Sequence, residues 1–484
     1  MCRSLKLHST LLAATLHVFL HCANCALAQS SPVSSDRPWH SAAERSVEAD
    51  LRNIPDSRFN IDSAKTYSLP ELIDMAEAHN PVTRDSWERA RAQAAALGVA
   101  RSELFPFLGA VAVSETGRQE VLFGDRFNGQ VLQTFQMELD LDYTLFDFGA
   151  RTGRINAAKA QLLTANFAFN DTHRQVIYRV QQAYYRLLSS MGQEDAARAS
   201  LSNAQAVQRA AEERSAHGLA TLPDVLEARS ATAQAEYDLQ AILGAEEIAR
   251  GDLATAVGIS ATTAIQIESL DQIPTGETIG DTVDQAIDRA LKQRPDLLQR
   301  VAEIRSEKAR VQEARAAYYP ALTLNVTPAI PSLYGLQSPY AWSHTADLIG
   351  ELRFRLQWTV FDGGARKNRL AQAQADVRAA EAQANVKRNE IADQVWAAYS
   401  NLNTAFLQRQ SAVALLQASS QSYNAALQSY GYGVRNLLDV TAAQRTLAQA
   451  RSADVLARTQ VLTAFAELAF RTADSIRATG RLRP

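Results

Sequence analysis

The chain has 484 residues, 46% of them hydrophobic, with 49 basic and 52 acidic side chains. That is enough for a sizeable core, and it excludes a disordered chain or a small fold held by staples. A formal net charge of −3 leaves no excess to suit a nucleic-acid backbone, so no nucleic-acid partner is expected.

Residues 1–28 read as a secretory signal peptide. Arg3 and Lys6 form a basic start, residues 11–27 are mostly apolar, and Ala26-Leu27-Ala28 offers a small-x-small cleavage site before Gln29. Cys2, Cys22 and Cys25 all lie inside this segment, so the mature chain is expected to carry no disulfide, thiolate metal site or thiol nucleophile. Cys22 and Cys25 follow His21 and Asn24 where lipoprotein processing favours a small residue, so lipidation is not expected. Residues 29–67 read as an N-terminal linker. No later run of 18 apolar residues is available for a transmembrane helix, which leaves an exported soluble protein or a β-barrel.

Residues 68–258 form a first unit. A short helix ends at "AEAHNP", and a longer one stops near Phe105-Pro106, where proline breaks the ladder. A weak strand at 108–114 precedes a strong one at 134–145, in which Phe135, Met137, Leu139, Leu141, Tyr143 and Leu145 alternate with Gln136, Glu138, Asp140, Asp142 and Thr144. The intervening "ETGRQEVLFGDRFNGQ" reads as a long polar loop. A helix then runs over 154–217, broken only by Gly192, and a return helix begins at Pro223.

After a linker at 259–280, residues 281–475 repeat the plan, followed by a tail at 476–484. "ALKQRP" answers "AEAHNP", "ARAAYYPAL" answers "ARSELFPFL", and "WTVFDGGAR" answers "YTLFDFGAR". Strands are expected at 322–327 and 351–360, with a Gly/Pro-rich loop, "PAIPSLYGLQSPYAWSHTAD", between them. Residues 365–430 contain neither Gly nor Pro, and as one helix they would span about 100 Å. Their apolar positions step by seven, or by four and three: Leu370, Val377, Ala384, Ile391, Val395, Leu402, Phe406, Val413, Leu416, Tyr423, Leu427, Tyr430. That is the seam of a coiled coil.

Each strand pair has one apolar and one polar face, with aromatics at one end: Phe105, Phe107, Tyr143, Phe146, Tyr318, Tyr319, Trp358 and Phe361. This matches a strand crossing a bilayer between aromatic girdles. Four strands cannot close a barrel whose practical minimum is about eight, and an open edge cannot sit in lipid. Several chains would have to share one barrel.

The helices reverse at "GLATLPDV" and "GVRNLLDV". Gly218 and Gly433 suit the left-handed end of a helix, Thr221 and Asn436 suit the cap of the next, and Asp224 and Asp439 fall three residues later. No HExxH, GxSxG or Walker pattern is present, and His40, His79, His173, His217 and His344 are scattered. An enzyme is not expected, nor a metal or cofactor.

The duplicated halves, the two strand-to-helix motifs and the two hairpin turns together resemble the TolC-type outer membrane efflux family over most of the mature chain. The resemblance implies an α+β membrane protein: a homotrimer in which four amphipathic strands per protomer form a shared twelve-stranded barrel, continued by a long coiled-coil periplasmic tunnel. It implies the outer membrane of a Gram-negative bacterium, in contact with its lipid. It also implies the exit channel of a tripartite efflux pump or type I secretion system. Such a duct is passive, opened by a periplasmic adaptor (membrane fusion protein) and energised by an inner-membrane RND, ABC or MFS transporter. The adaptor would dock at Gly218, Leu219, Ala220 and Thr221, and at Gly433, Val434, Arg435 and Asn436. By the same resemblance Asp224, Tyr430 and Arg435 form a gating latch and Asp439 an aperture ring. A second ring one turn on is missing, because the position holds Ala442. The competing expectation is a secreted or periplasmic coiled-coil scaffold or adhesin without a pore.

Overall fold

The computed structural model describes residues 61–62, 64–273, 282–337 and 342–474, with isolated positions before residue 61. The expected signal peptide and C-terminal tail, with most of the N-terminal linker, lie outside the described residues. The chain forms two compact units, Met1–Ser57 and Arg58–Pro484. All the elements named below belong to the second.

Helices α1 (Leu69–His79) and α2 (Pro81–Ser102) lead to strands β2 (Phe107–Phe123) and β3 (Arg126–Phe146), then to helices α3 (Ala150–Ala216) and α4 (Leu222–Val257). The second half repeats the order: α5 (Val283–Gln293), α6 (Pro295–Ala316), β5 (Ala321–Gln337), β6 (Ser343–Ala346), β7 (Ile349–Gln357), α7 (Ala365–Gly431) and α8 (Leu437–Thr472). Short strands β1 (Thr66–Tyr67) and β4 (Gln266–Ile267) pair in parallel. Helix lengths of 11, 22, 67 and 36 residues recur in both halves, so one plan is used twice. Local chemistry sets the boundaries: Ser68 and Glu71 form a capping box on α1, and Pro81 and Pro295 open α2 and α6, where a missing N–H costs nothing.

The four expected strand positions are present, but the first hairpin is much longer than the sequence suggests. β2 and β3 pair without interruption from Phe107↔Asp142 to Phe123↔Arg126, leaving Gly124-Asp125 as the turn. The supposed polar loop is therefore strand: its alternation of large and polar residues is weak, yet cross-strand pairing carries it. In the second half β5 likewise continues to Gln337, and its far end pairs with β6 while its near end pairs with β7. β6 and β7 thus share one strand position. β7 stops at Gln357, and Trp358 instead donates its indole N–H to the Tyr318 carbonyl at 3.1 Å.

The sheet is inside out. Phe135, Met137 and Leu139 point to the exposed side of β3, while Gln136, Glu138 and Asp140 lie on the more covered side. On that side Asn325 donates to Asp142 and Thr327 to Asp140, both at 2.9 Å. The outer edges of β2 and of β6 and β7 pair with no other strand among the described residues.

The core of the second unit sits around the middle of the long helices. Leu72, Ile73 and Ala76 of α1 pack on Val176, Ile177, Val180 and Leu187 of α3 and on Leu253 and Val257 of α4. Below it the helices pair as α3 with α4 and α7 with α8. On α7 the expected seam holds at Ile391, Val395, Leu402, Tyr423 and Tyr430, all buried. The second column differs, because Ala398, Ala405, Ala412, Ser419 and Ala426 are buried while Val413 is 46% exposed. Small side chains let helix backbones approach, and that contact displaces the larger neighbours to the flanks.

Candidate functional site

Two pairs of local structures recur in the halves: the joints between strand and helix, and the tips where long helices reverse. At each joint an aspartate closes the first turn. Asp147 accepts from the amides of Gly149 (3.2 Å) and Arg151 (2.8 Å) and from Arg151 Nε (3.1 Å). Asp362 does the same with Gly364 (3.1 Å), Arg366 N (3.0 Å) and Arg366 Nε (2.9 Å). Both arginines reach back to a carbonyl before the turn, that of Leu145 near the end of β3 or that of Val360 three residues past β7. The repeated nine residues are thus a clasp between the end of the sheet and the start of the long helix. The copies differ at Phe148, which holds a φ of 50° where the second copy has Gly363 at 64°. Phe148 stacks on Tyr319, with centroids 4.9 Å apart.

At the tips, each long helix ends in a Schellman turn. Leu219 N donates to Arg214 O (2.8 Å) and Gly218 N to Ser215 O (3.0 Å), while Val434 N donates to Ser429 O and Gly433 N to Tyr430 O, both at 2.9 Å. Gly218 and Gly433 sit at φ of 69° and 73°, a region that glycine enters without steric cost. The return helices start differently. Thr221 and Asp224 form a reciprocal capping box, with Thr221 N and Oγ1 both donating to Asp224 Oδ2 (2.9 and 2.7 Å). Those two donors hold the Asp224 carboxyl below its ordinary range. In the other half Asn436 caps Asp439 N (2.9 Å), and Arg435 Nη1 approaches Asp439 at 4.0 Å.

Within the chain the expected latch residues each have their own local contacts. Asp224 is engaged by its own helix cap, and Arg435 faces Asp439. Tyr430 is buried (5% exposed), its hydroxyl without a partner among the described residues. Burial pushes its phenol up; Arg214 opposes the shift and Asp224 adds to it. Leu219, Val434 and Arg435 are exposed at the tips, as are Gly218, Gly433 and Asn436, with Ala220 half-buried and Thr221 exposed.

One residue that sequence reasoning passed over stands at the centre. The Arg214 guanidinium donates to Tyr430 O (3.0 Å) and Gly431 O (3.2 Å) and lies over the Tyr430 ring, 4.7 Å from its centroid. It joins the two hairpins at the tips. The only available signal was a basic residue in the last turn of α3, which is commonplace at helix C-termini.

The family model described as outer membrane efflux protein matches the chain twice, over residues 72–259 and 286–473. Protein CyaE of Bordetella pertussis is 27% identical over 400 residues, covering 82% of each chain. Outer membrane protein OprJ of Pseudomonas aeruginosa is 25% identical over 426 residues, covering 86% of this chain and 85% of its own length. The solved CmeC outer membrane channel of Campylobacter jejuni superposes with a TM-score of 0.71 at 17% identity, over 89% of this chain and 97% of its own, which bears on the fold. The family match favours the outer-membrane efflux reading over a pore-less scaffold. With its inside-out sheet and two 67-residue helices, the chain belongs to the outer membrane efflux protein family, an outer-membrane channel with its helical part in the periplasm.

Proposed function

We propose that three copies of the chain close one twelve-stranded barrel, whose long helices continue as the exit duct of a tripartite efflux pump or type I secretion machine. The observation that carries this reading is the sheet itself: four strand positions, an exposed apolar face and two edges unpaired among the described residues. In lipid each free edge would leave N–H and C=O groups unsatisfied at several kcal/mol apiece, roughly, so another copy must cover it.

The duct has no energy source of its own, so an inner-membrane transporter of the RND, ABC or MFS type supplies it. A periplasmic adaptor docks on the two tip turns, 218–221 and 433–436. To link neighbouring copies, half-buried Asp224 would share the carboxylate that caps its own helix, and Arg435, 57% exposed along its side chain, would leave its 4.0 Å approach to Asp439. Exposed links of about 0 to 1 kcal/mol each are weak enough for an adaptor to displace. Asp439 lines the aperture as a single ring. In this reading residues 1–28 are removed on export and 68–258 and 281–475 are the two repeats.

Native mass of the mature protein extracted in mild detergent tests the assembly. A trimer that aggregates on detergent withdrawal is expected, whereas a detergent-independent monomer would remove the shared barrel. Asp439→Ala should lower the cation preference of the pore; an unchanged preference takes that ring out of the mechanism.

A further inference from the structure

We propose that Arg214 is a gate residue of this chain. Its guanidinium clamps the end of α7 to the end of α3, and Tyr430 serves the closed state through its ring face and backbone carbonyl, not through its hydroxyl. The inference rests on reading the tips as the closed end of the duct.

Two helix C-termini converge at this point, α3 at Ala216 and α7 at Gly431. Each carries the partial negative charge of its last carbonyls, so the two ends repel unless a cation stands between them. Arg214 is that cation. Its own carbonyl is held by Leu219 N in the Schellman turn, which fixes where its side chain departs. Nη1 then bridges the carbonyls of Tyr430 and Gly431, while the plane of the group covers the Tyr430 ring. Gly433 lies beside the clamp, where a Cβ would be in ordinary contact with Arg214 Nη2 at 3.8 Å, so the glycine answers to its φ of 73°.

The Tyr430 hydroxyl is buried and accepts or donates nothing among the described residues. A buried phenol in its own protomer does not reach a neighbouring copy, so a role for Tyr430 must pass through its ring. Beneath it lie Val207, Ala211, Tyr423, Ala426, Leu437 and Val440, which hold the ring at the junction of both hairpins.

Single-channel conductance of the purified mature protein in planar bilayers tests the clamp, alongside its melting temperature and native mass. Arg214→Ala and Tyr430→Ala are each expected to raise resting conductance several-fold, and Tyr430→Phe to leave it at the wild-type value. Arg214→Lys keeps a charge between the helix ends but loses the planar fork, and should fall in between. Wild-type conductance in Arg214→Ala overturns the clamp while leaving the duct intact. Opening by Tyr430→Phe as large as by Tyr430→Ala would show a hydroxyl bond at work and overturns the role given to the ring. Should Arg214→Ala fail to assemble, Arg214→Lys and the two Tyr430 variants decide alone: wild-type conductance in Arg214→Lys and Tyr430→Ala overturns the proposal. A wild-type protein that forms no pore overturns the duct reading, and the gate with it.

Discussion

The guanidinium of Arg174, on α3 in the first half, lies 3.8 Å from the carboxylate of Asp296, at the start of α6 in the second. Arg174 also bonds Asp171 and the Phe470 carbonyl (2.7 Å), and Asp296 is shared by Arg294 (2.7 Å) and Lys387 (3.2 Å). Both arginine side chains are 2% exposed. A buried charge that loses its partner costs about 3 to 5 kcal/mol, so this knot fixes the halves against each other.

Removing the acid should therefore loosen the middle of the molecule. Burial opposes ionisation of Asp296, but Arg294, Arg174 and Lys387 outweigh it and bring its carboxyl down to about 2. A depressed carboxyl stabilises the fold fully above its ordinary value of 3.8 and loses that contribution as pH falls to about 2. Asp296→Asn is expected to lower the melting temperature at pH 7 by the equivalent of about 3 kcal/mol. It should also flatten the loss of stability across that acid window. Equal acid sensitivity in the variant and the wild type would show that other groups carry it.

Glu194 on α3 and Glu246 on α4 are shifted in opposite directions. Burial, then Glu194, push the Glu246 carboxyl up, while the Glu246 hydrogen bond pulls Glu194 down. Glu246 Oε2 has no hydrogen-bond partner among the described residues, while Oε1 accepts from Arg250 Nη2. The stability this adds is complete below the ordinary carboxyl value of 4.5 and fades as pH rises through the raised one. Glu246→Gln keeps a donor without a charge. Its melting temperature should exceed that of wild type at pH 7 by the equivalent of about 1 kcal/mol, with the two converging near pH 4. A variant less stable than wild type at pH 7 would mean that the Arg250 ion pair matters more.

The joints should couple tightly. Asp362→Ala removes the acceptor for the amides of Gly364 and Arg366 at the start of α7 and should cost about 1 to 2 kcal/mol, with Arg366→Ala close behind. Because Arg366 bonds the same carboxylate, the double variant should cost less than the sum of the two. Thermal unfolding of the four proteins in a double-mutant cycle measures this, and strict additivity would argue against a clasp.

At position 148 a bulky ring occupies a backbone region that costs a side chain roughly 1 to 2 kcal/mol. Its T-shaped contact with Phe146 and its stack on Tyr319 repay that cost. Phe148→Ala loses both rings' contacts and keeps the strain, whereas Phe148→Gly loses the contacts and relieves it. Glycine should therefore be the more stable replacement by about 1 kcal/mol. Differential scanning of the two variants settles the order, and a more stable alanine variant would mean that the turn relaxes on losing the ring.

Much was already written in the chain. Duplication shows in "YTLFDFGAR" and "WTVFDGGAR", helix breaks in Pro81 and Pro295, and the exposed apolar face of β3 in the alternation from Phe135 to Leu145. The tip turns show in Gly218 and Gly433. These features are local: each depends on backbone geometry and on residues within about one turn or one strand period. What only the tertiary structure decided is which surfaces meet. The length of the first hairpin came from pairing across Gly124-Asp125, not from the pattern of either strand. On α7 the column of Ala398, Ala405 and Ala412 displaced Val413, because close approach of helices favours small side chains over large ones. Arg174 with Asp296, and Arg214 with Tyr430, are distant in sequence and ordinary in type. Only the folding of one half against the other makes them partners.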